Sequence, residues 1–241
     1  MIARPALAES LSKGTSAGAQ TNHDTAFHEQ ASGFATLDRP TGMAEFGLGL
    51  LMLPRAQICV ERLQAGCERG DNSFEIEAWQ LYRANIRLAF GAGITLGLLS
   101  STQAPRMDPQ GVERSHRREY LTAEGIARYY PYVGESFEAW GGVAGGLVVV
   151  SDRFETKTPY SEKAVIGPRG VTVRTEGYAL GLAAGAAMAL SESWSLGAAA
   201  RYSIWFLPSR PATDPLGDEA SLTGRNSVII IGVGVAFRIP L

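Results

Sequence analysis

The side chains most able to do chemistry are sparse in this sequence. Arg114, His116, Arg117 and Arg118, with Arg106 nearby, form a basic cluster. Arginine presents a planar fork that matches phosphate oxygens, so the cluster has two readings: contact with a phosphorylated surface, or, more ordinarily, a solvated or internally paired rim. Ser115 beside His116 puts a hydroxyl next to a base, but adjacent residues on a strand point to opposite faces, and no triad spacing accompanies them. Cys59 and Cys67 enclose the segment CVERLQAGC. A disulfide there would stabilise the chain by about 2.6 kcal/mol through loop entropy and fits an oxidising compartment. Asp214, Asp218 and Glu219 lack the spacing of a calcium loop and predict a solvated acidic loop. His23 and His28 lie in a polar tail and are read as solvated. No cofactor motif or metal-ligand set stands out.

These residues must be positioned by strands. From Tyr178 to Phe206 alternate residues carry the large apolar side chains, Tyr178, Leu180, Leu182, Met188 and Leu190, then, after Ser191-Glu192-Ser193, Trp194, Leu196, Tyr202, Ile204 and Phe206, with Ala184, Ala186, Ala198 and Ala200 on the same face. The opposite face, from Ala179 to Ser203, is Gly, Ala and Ser, with Arg201 the ionic exception. Period-2 alternation marks strands with two different surroundings. Each arm reaches the roughly 9–11 residues of a tilted transmembrane strand.

The same pattern predicts strands near 43–52, 74–82, 86–98, 118–130, 137–151 and 225–241, making eight with the hairpin. The run GGVAGGLVVV is too uniform for faces to be assigned. Long and short connections alternate along the chain, the arrangement of an outer-membrane barrel with short inner turns and long outer loops. A soluble barrel has no reason to gather its long loops at one end. The second face also departs from a water-exposed one, because it is small residues with isolated charges: Glu45, Glu77, Arg87, Glu124, Arg128, Arg201 and Arg238. An eight-stranded barrel is just wide enough for side chains to fill, so these seven are expected to form a lumenal ionic network, paired because burial demands it. Aromatics at strand ends, among them Tyr82, Tyr129, Tyr130, Tyr132, Trp140 and Trp194, predict an interfacial girdle.

Glycine is high, 28 of 241 residues, against a usual share near 7%. A net charge of −2 and a pI of about 6.0 give no nucleic-acid footprint. No apolar run suits a spanning helix of ~20 residues. Residues 1–41 are polar and aperiodic and are expected to be disordered, leaving 42–241 as the barrel domain. An export signal needs an apolar core of about 7–15 residues, which MIARPALAESLSKGTSAGAQ lacks, so the true start is expected upstream.

The final stretch, Val233 to Leu241, alternates to the last residue, with Leu241 where an aromatic is usual. It resembles the C-terminal signal strand of bacterial outer-membrane barrels. Strand number and loop alternation over 42–241 resemble the small OmpA/OmpX-type barrels of Gram-negative bacteria, and the texture looks like myxobacterial barrel proteins. The resemblance implies an all-β, up-and-down antiparallel transmembrane barrel in the outer membrane. Implied partners are membrane lipid, lipopolysaccharide phosphates at Arg114, His116, Arg117 and Arg118, and the barrel assembly machinery acting on the last strand. The expected protein is a monomer of structural or surface-interaction function, without cofactor or enzymatic activity. The alternatives are a soluble lipocalin-like ligand-binding barrel, a narrow pore and a lipid-modifying barrel enzyme.

Overall fold

The computed structural model describes residues 34, 39–57, 69–98, 114–156, 170–213 and 219–241. Eight strands close on themselves in sequence order: β1 (Thr41–Gln57), β2 (Arg69–Asn85), β3 (Leu88–Gly97), β4 (Arg114–Val133), β5 (Phe137–Thr156), β6 (Gly170–Ala189), β7 (Trp194–Phe206) and β8 (Arg225–Pro240). Every neighbouring pair is antiparallel, and β8 returns to β1 with Thr41 opposite Pro240. Closure removes the open edges that a flat sheet would expose. Cys59 and Cys67, His23 and His28, Arg106, Asp214 and Asp218 lie outside the described residues. So does most of 1–41, but Phe34 is wholly buried in the barrel, its N–H donating to Glu135 O at 3.0 Å.

The exterior is apolar. Phe46, Leu48, Leu180, Leu182 and Val233 are each 60% exposed or more, as are many others around the wall to a lesser degree. In water such a continuous surface would drive association; lipid solvates it without penalty. Aromatic pairs mark the short-turn end: Tyr82 with Phe90, Tyr132 with Phe137 and Trp194 with Phe237, at centroid distances of 5.3, 5.9 and 4.9 Å. Two residues expected in this girdle are elsewhere. Tyr130 and Trp140 are buried in the lumen, because the alternation of β4 and β5 turns them inward.

β1, β2, β4, β5 and β6 run further than the sequence suggested, while β3 is shorter. β6 begins eight residues before Tyr178, and β4 begins at Arg114. On these extensions the outer face is charged: Arg117 pairs with Glu119 at 3.2 Å and Arg153 with Glu155 at 2.5 Å. Charged side chains at the bilayer midplane are costly, so this part of β4–β6 projects beyond the apolar belt. The first short turn also moves, from the expected Arg83–Asn85 to Ile86-Arg87, where Asn85 Oδ1 accepts from the N–H groups of Arg87 and Leu88 at 2.8 and 3.0 Å.

Candidate functional site

Inward-facing residues fill the barrel in layers. Nearest the short turns, Met43, Trp79, Leu81, Ile126, Tyr130 and Trp140 form an apolar cluster. Arg83 lies over the Tyr130 ring at 3.9 Å and pairs with Glu138 at 2.6 Å. Arg238 is stacked on Phe34 at 3.9 Å. Above them Arg128 donates both terminal nitrogens to Glu45, at 2.7 and 2.8 Å, while lying over the Trp140 ring at 4.0 Å. Arg201 reaches across from β7 to Glu124 at 2.7 Å, Thr95 at 3.1 Å and Glu77 at 3.5 Å.

Of the residues read as a lumenal network, Glu45, Glu77, Glu124, Arg128, Arg201 and Arg238 face inward, and Arg83, Glu138 and Glu75 join them. Arg87 is the exception and corrects the expectation. It is exposed in the β2–β3 turn, donating to the carbonyls of Tyr130 and Pro131 at 3.0 and 2.5 Å.

Arg201 and Arg238 apart, the large strand side chains at these levels come from β1–β5, whereas β6–β8 turn Ala183, Gly185, Ala187, Ser195, Gly197, Ala199, Gly232 and Gly234 inward. The small wall makes room for the large one. A Cβ on Gly185 would sit 2.6 Å from the Trp140 ring. Between the two walls, among the described residues, lie cavities of about 60 and about 20 Å³, room for a few waters. A second apolar cluster, including Leu51, Leu53, Tyr120, Val148, Trp205 and Leu222, fills the lumen towards the long connections.

Over that plug, at the mouth, sits a second ionic group. His116 Nε2 is 2.6 Å from Asp152 Oδ1, and its ring stacks on Phe154 at 4.7 Å. Arg118 Nε donates to Asp152 Oδ1 at 3.3 Å and to Ser221 Oγ at 2.7 Å, and its Nη1 to Asp71 at 3.0 Å. The Tyr120 hydroxyl donates to Asp71. This overturns part of the phosphate-contact expectation: His116 is 2% exposed and Arg118 not at all, so neither reaches an outside phosphate. Arg117 alone of those placed side chains faces out. Arg114 and Ser115 open β4 opposite Thr156 and Glu155. His116 is engaged by Asp152 inside the mouth rather than standing free as a base. Asp71, Tyr120, Asp152 and Ser221 carried no signal in the sequence, because single hydrogen bonds of the cluster join residues up to 103 positions apart.

No protein-family model and no curated protein matches the sequence. Among solved structures, Neisserial surface protein A is similar at 13% identity over 83% of this chain and 97% of that one, with a TM-score of 0.47. A major outer membrane protein from Thermus thermophilus is similar at 12% identity over 81% and 99%, TM-score 0.49. The outer membrane protease OmpT from Escherichia coli is similar at 13% identity over 85% and 98%, TM-score 0.41. At this distance none carries an activity across, and the fold stands on the chain's own eight-stranded closure.

Proposed function

We propose that this chain is a bacterial outer-membrane barrel with a structural or surface-interaction role, presenting its long connections outside. One observation carries the reading: the lumen is packed from Phe34 to Leu222 inside a wall whose exterior is apolar. Such a barrel offers a membrane anchor and, among the described residues, no open path. A soluble ligand-binding barrel needs the opposite arrangement, apolar inside and polar outside. Membrane lipid is the natural solvent of the belt. Lipopolysaccharide beside Arg117, and the assembly machinery acting on β8, are the partners that go with this reading, and the protein acts as a monomer.

Membrane fractionation with a heat-modifiability gel tests it. Cofractionation with outer membrane and a mobility shift on boiling are expected; a soluble, unshifted protein defeats the reading. In planar bilayers the purified protein should give no stable conductance steps. The enzymatic alternative rests on the His116–Asp152 pair. Deacylation or acyl transfer by purified protein, lost in His116→Ala, would replace the non-enzymatic role.

A further inference from the structure

We propose that the short-turn end of the barrel is a binding slot for one aromatic side chain, filled in this chain by its own Phe34. The slot is assembled from opposite sides of the ring of strands. β8 closes on β1, and in a ring of eight the β4–β5 turn lies across the diameter from that seam. Arg238 comes from β8, and its guanidinium carbon stands 3.9 Å from the centre of the Phe34 ring. Glu135 comes from the turn between β4 and β5, and its carbonyl accepts the Phe34 N–H at 3.0 Å. Phe34 therefore bridges this end of the barrel from the seam to the far wall. Both partners come within reach of one residue only once β8 has closed on β1.

The slot asks for a ring and not merely for an apolar group. Phe34 is wholly buried and Arg238 is 3% exposed, so the guanidinium has little contact with bulk water. The carboxylates near it are Glu138 and Glu45. Glu138 is engaged by Arg83 at 2.6 Å, and Glu45 is gripped at both oxygens by Arg128. A cation in so dry a layer is stabilised by the negative face of an aromatic ring, and such stacking strengthens as water is excluded. The layer uses the same device twice more, with Arg83 over Tyr130 at 3.9 Å and Arg128 over Trp140 at 4.0 Å. Those two rings are fixed on strands. Phe34 plays the same part from outside the strands, which makes it the replaceable one.

The walls of the slot are held by bonds that do not involve the ring. Arg238 N–H donates to Ser193 O at 2.8 Å, and Leu241 N–H to Pro40 O at 3.1 Å. Removing the ring therefore leaves a vacant slot in a closed barrel. The ligand class follows from the two contacts. It is an aromatic residue of a peptide, whose ring meets the guanidinium and whose N–H meets the Glu135 carbonyl.

NMR of the full chain in lipid nanodiscs tests the slot through the Arg238 Nε–H resonance. A ring stacked on the guanidinium shifts that resonance upfield, and both Phe34→Ala and Phe34→Leu should lose the shift. The residue-34 amide, corrected for intrinsic rates, should exchange about a hundredfold faster in Phe34→Ala than in wild type. N-acetylphenylalanine amide added to Phe34→Ala should restore the upfield shift, and N-acetylleucine amide should not. The proposal is overturned by an Arg238 resonance that is the same in wild type and Phe34→Ala, by no response to the phenylalanine derivative, or by equal responses to both derivatives. Should Phe34→Ala lose heat-modifiable mobility, the wild-type protein decides alone: a residue-34 amide exchanging at its intrinsic rate overturns the slot, and a protected one supports it.

Discussion

The barrel contains two ionic groups built on different terms. In mid-lumen, Arg201 and Arg128 meet glutamates that all project from strands, and the apolar belt surrounds them. At the mouth, Arg118 and His116 meet Asp71 and Asp152 above the belt, and one member, Ser221, belongs to a connection. Their charge balance differs as well. Glu75, Glu77 and Glu124 cluster near Arg201, and both carboxylate oxygens of Glu75 are without a hydrogen-bond partner among the described residues. The mouth has two carboxylates for two basic groups. The mid-lumen group therefore works as a strut between opposite walls, and the mouth group as a tie between wall and loop.

Arg201→Met gives the largest expected effect. It removes the guanidinium shared by Glu77 and Glu124, and stranding buried charge in this way costs about 3–5 kcal/mol. The midpoint of urea unfolding, followed by gel mobility of the unboiled protein, should fall accordingly. Arg118→Met should lower that midpoint less and act mainly on hydrogen exchange at 219–224, where Ser221 is tied. Equal losses in the two variants would erase the distinction between strut and tie.

The small wall can be tested the same way. Gly185→Val places a branched side chain against the Trp140 ring and 2.8 Å from Ala198 O. Overpacking of this kind costs about 1–3 kcal/mol. Ala184→Val, one residue away and facing lipid, should leave the unfolding midpoint nearly unchanged. Similar losses at both positions would mean that the lumen is looser than its packing indicates.

The difference between the two ionic groups also separates what the sequence reveals from what it hides. Faces on β3, β6 and β7 are legible because a lipid exterior and a small-residue lumen impose strict alternation, as in Leu88–Phe90–Ile94 against Gly91–Gly93–Thr95. Buried charges such as Glu45 and Arg128 are legible as exceptions on the small face. The mouth is not legible. Where β4–β6 leave the lipid, the outer face becomes Arg117, Glu119, Arg153 and Glu155, so polarity stops marking the inside. Arg87 misleads for a related reason: it keeps strand parity while lying in a turn, which Asn85 caps. Phe34 precedes the barrel in a polar stretch, with no period to show that its ring is buried under Arg238.

Acid offers a smaller test of the tie. Asp152 lies beyond the belt. Burial alone would push its carboxyl up, but the His116 hydrogen bond, the Arg118 charge and the Ser221 hydroxyl hold it below the usual carboxylate range. Its folded value is thus below its unfolded one, near 3.9. The stabilisation is complete above that unfolded value and is lost as pH falls through the folded one. Hydrogen exchange at 219–224 in the wild type should therefore accelerate only below about pH 4 on the acid side. Asp152→Asn should show fast exchange at neutral pH and lose this acid limb. An acid limb retained in Asp152→Asn would assign it to another carboxylate.

The smallest effect is expected one residue from one of the most deeply buried cations. Arg117 and Arg118 are adjacent, yet the side chain of one is 56% exposed and that of the other 0%. A double substitution would therefore confuse an outside contact with collapse of the mouth. Arg117→Ala alone removes a surface pair with Glu119, worth about 0–1 kcal/mol, so unfolding and exchange at 219–224 should stay close to wild type. Across the sheet Arg117 stands opposite Arg153, a like-charge pair that is unfavourable unless an anion or the flanking glutamates offset it. If lipopolysaccharide phosphates supply that anion, Arg117→Ala will weaken lipopolysaccharide binding while stability is preserved. If Glu119 and Glu155 suffice, binding will be unchanged, and the projecting wall is only a solvated one.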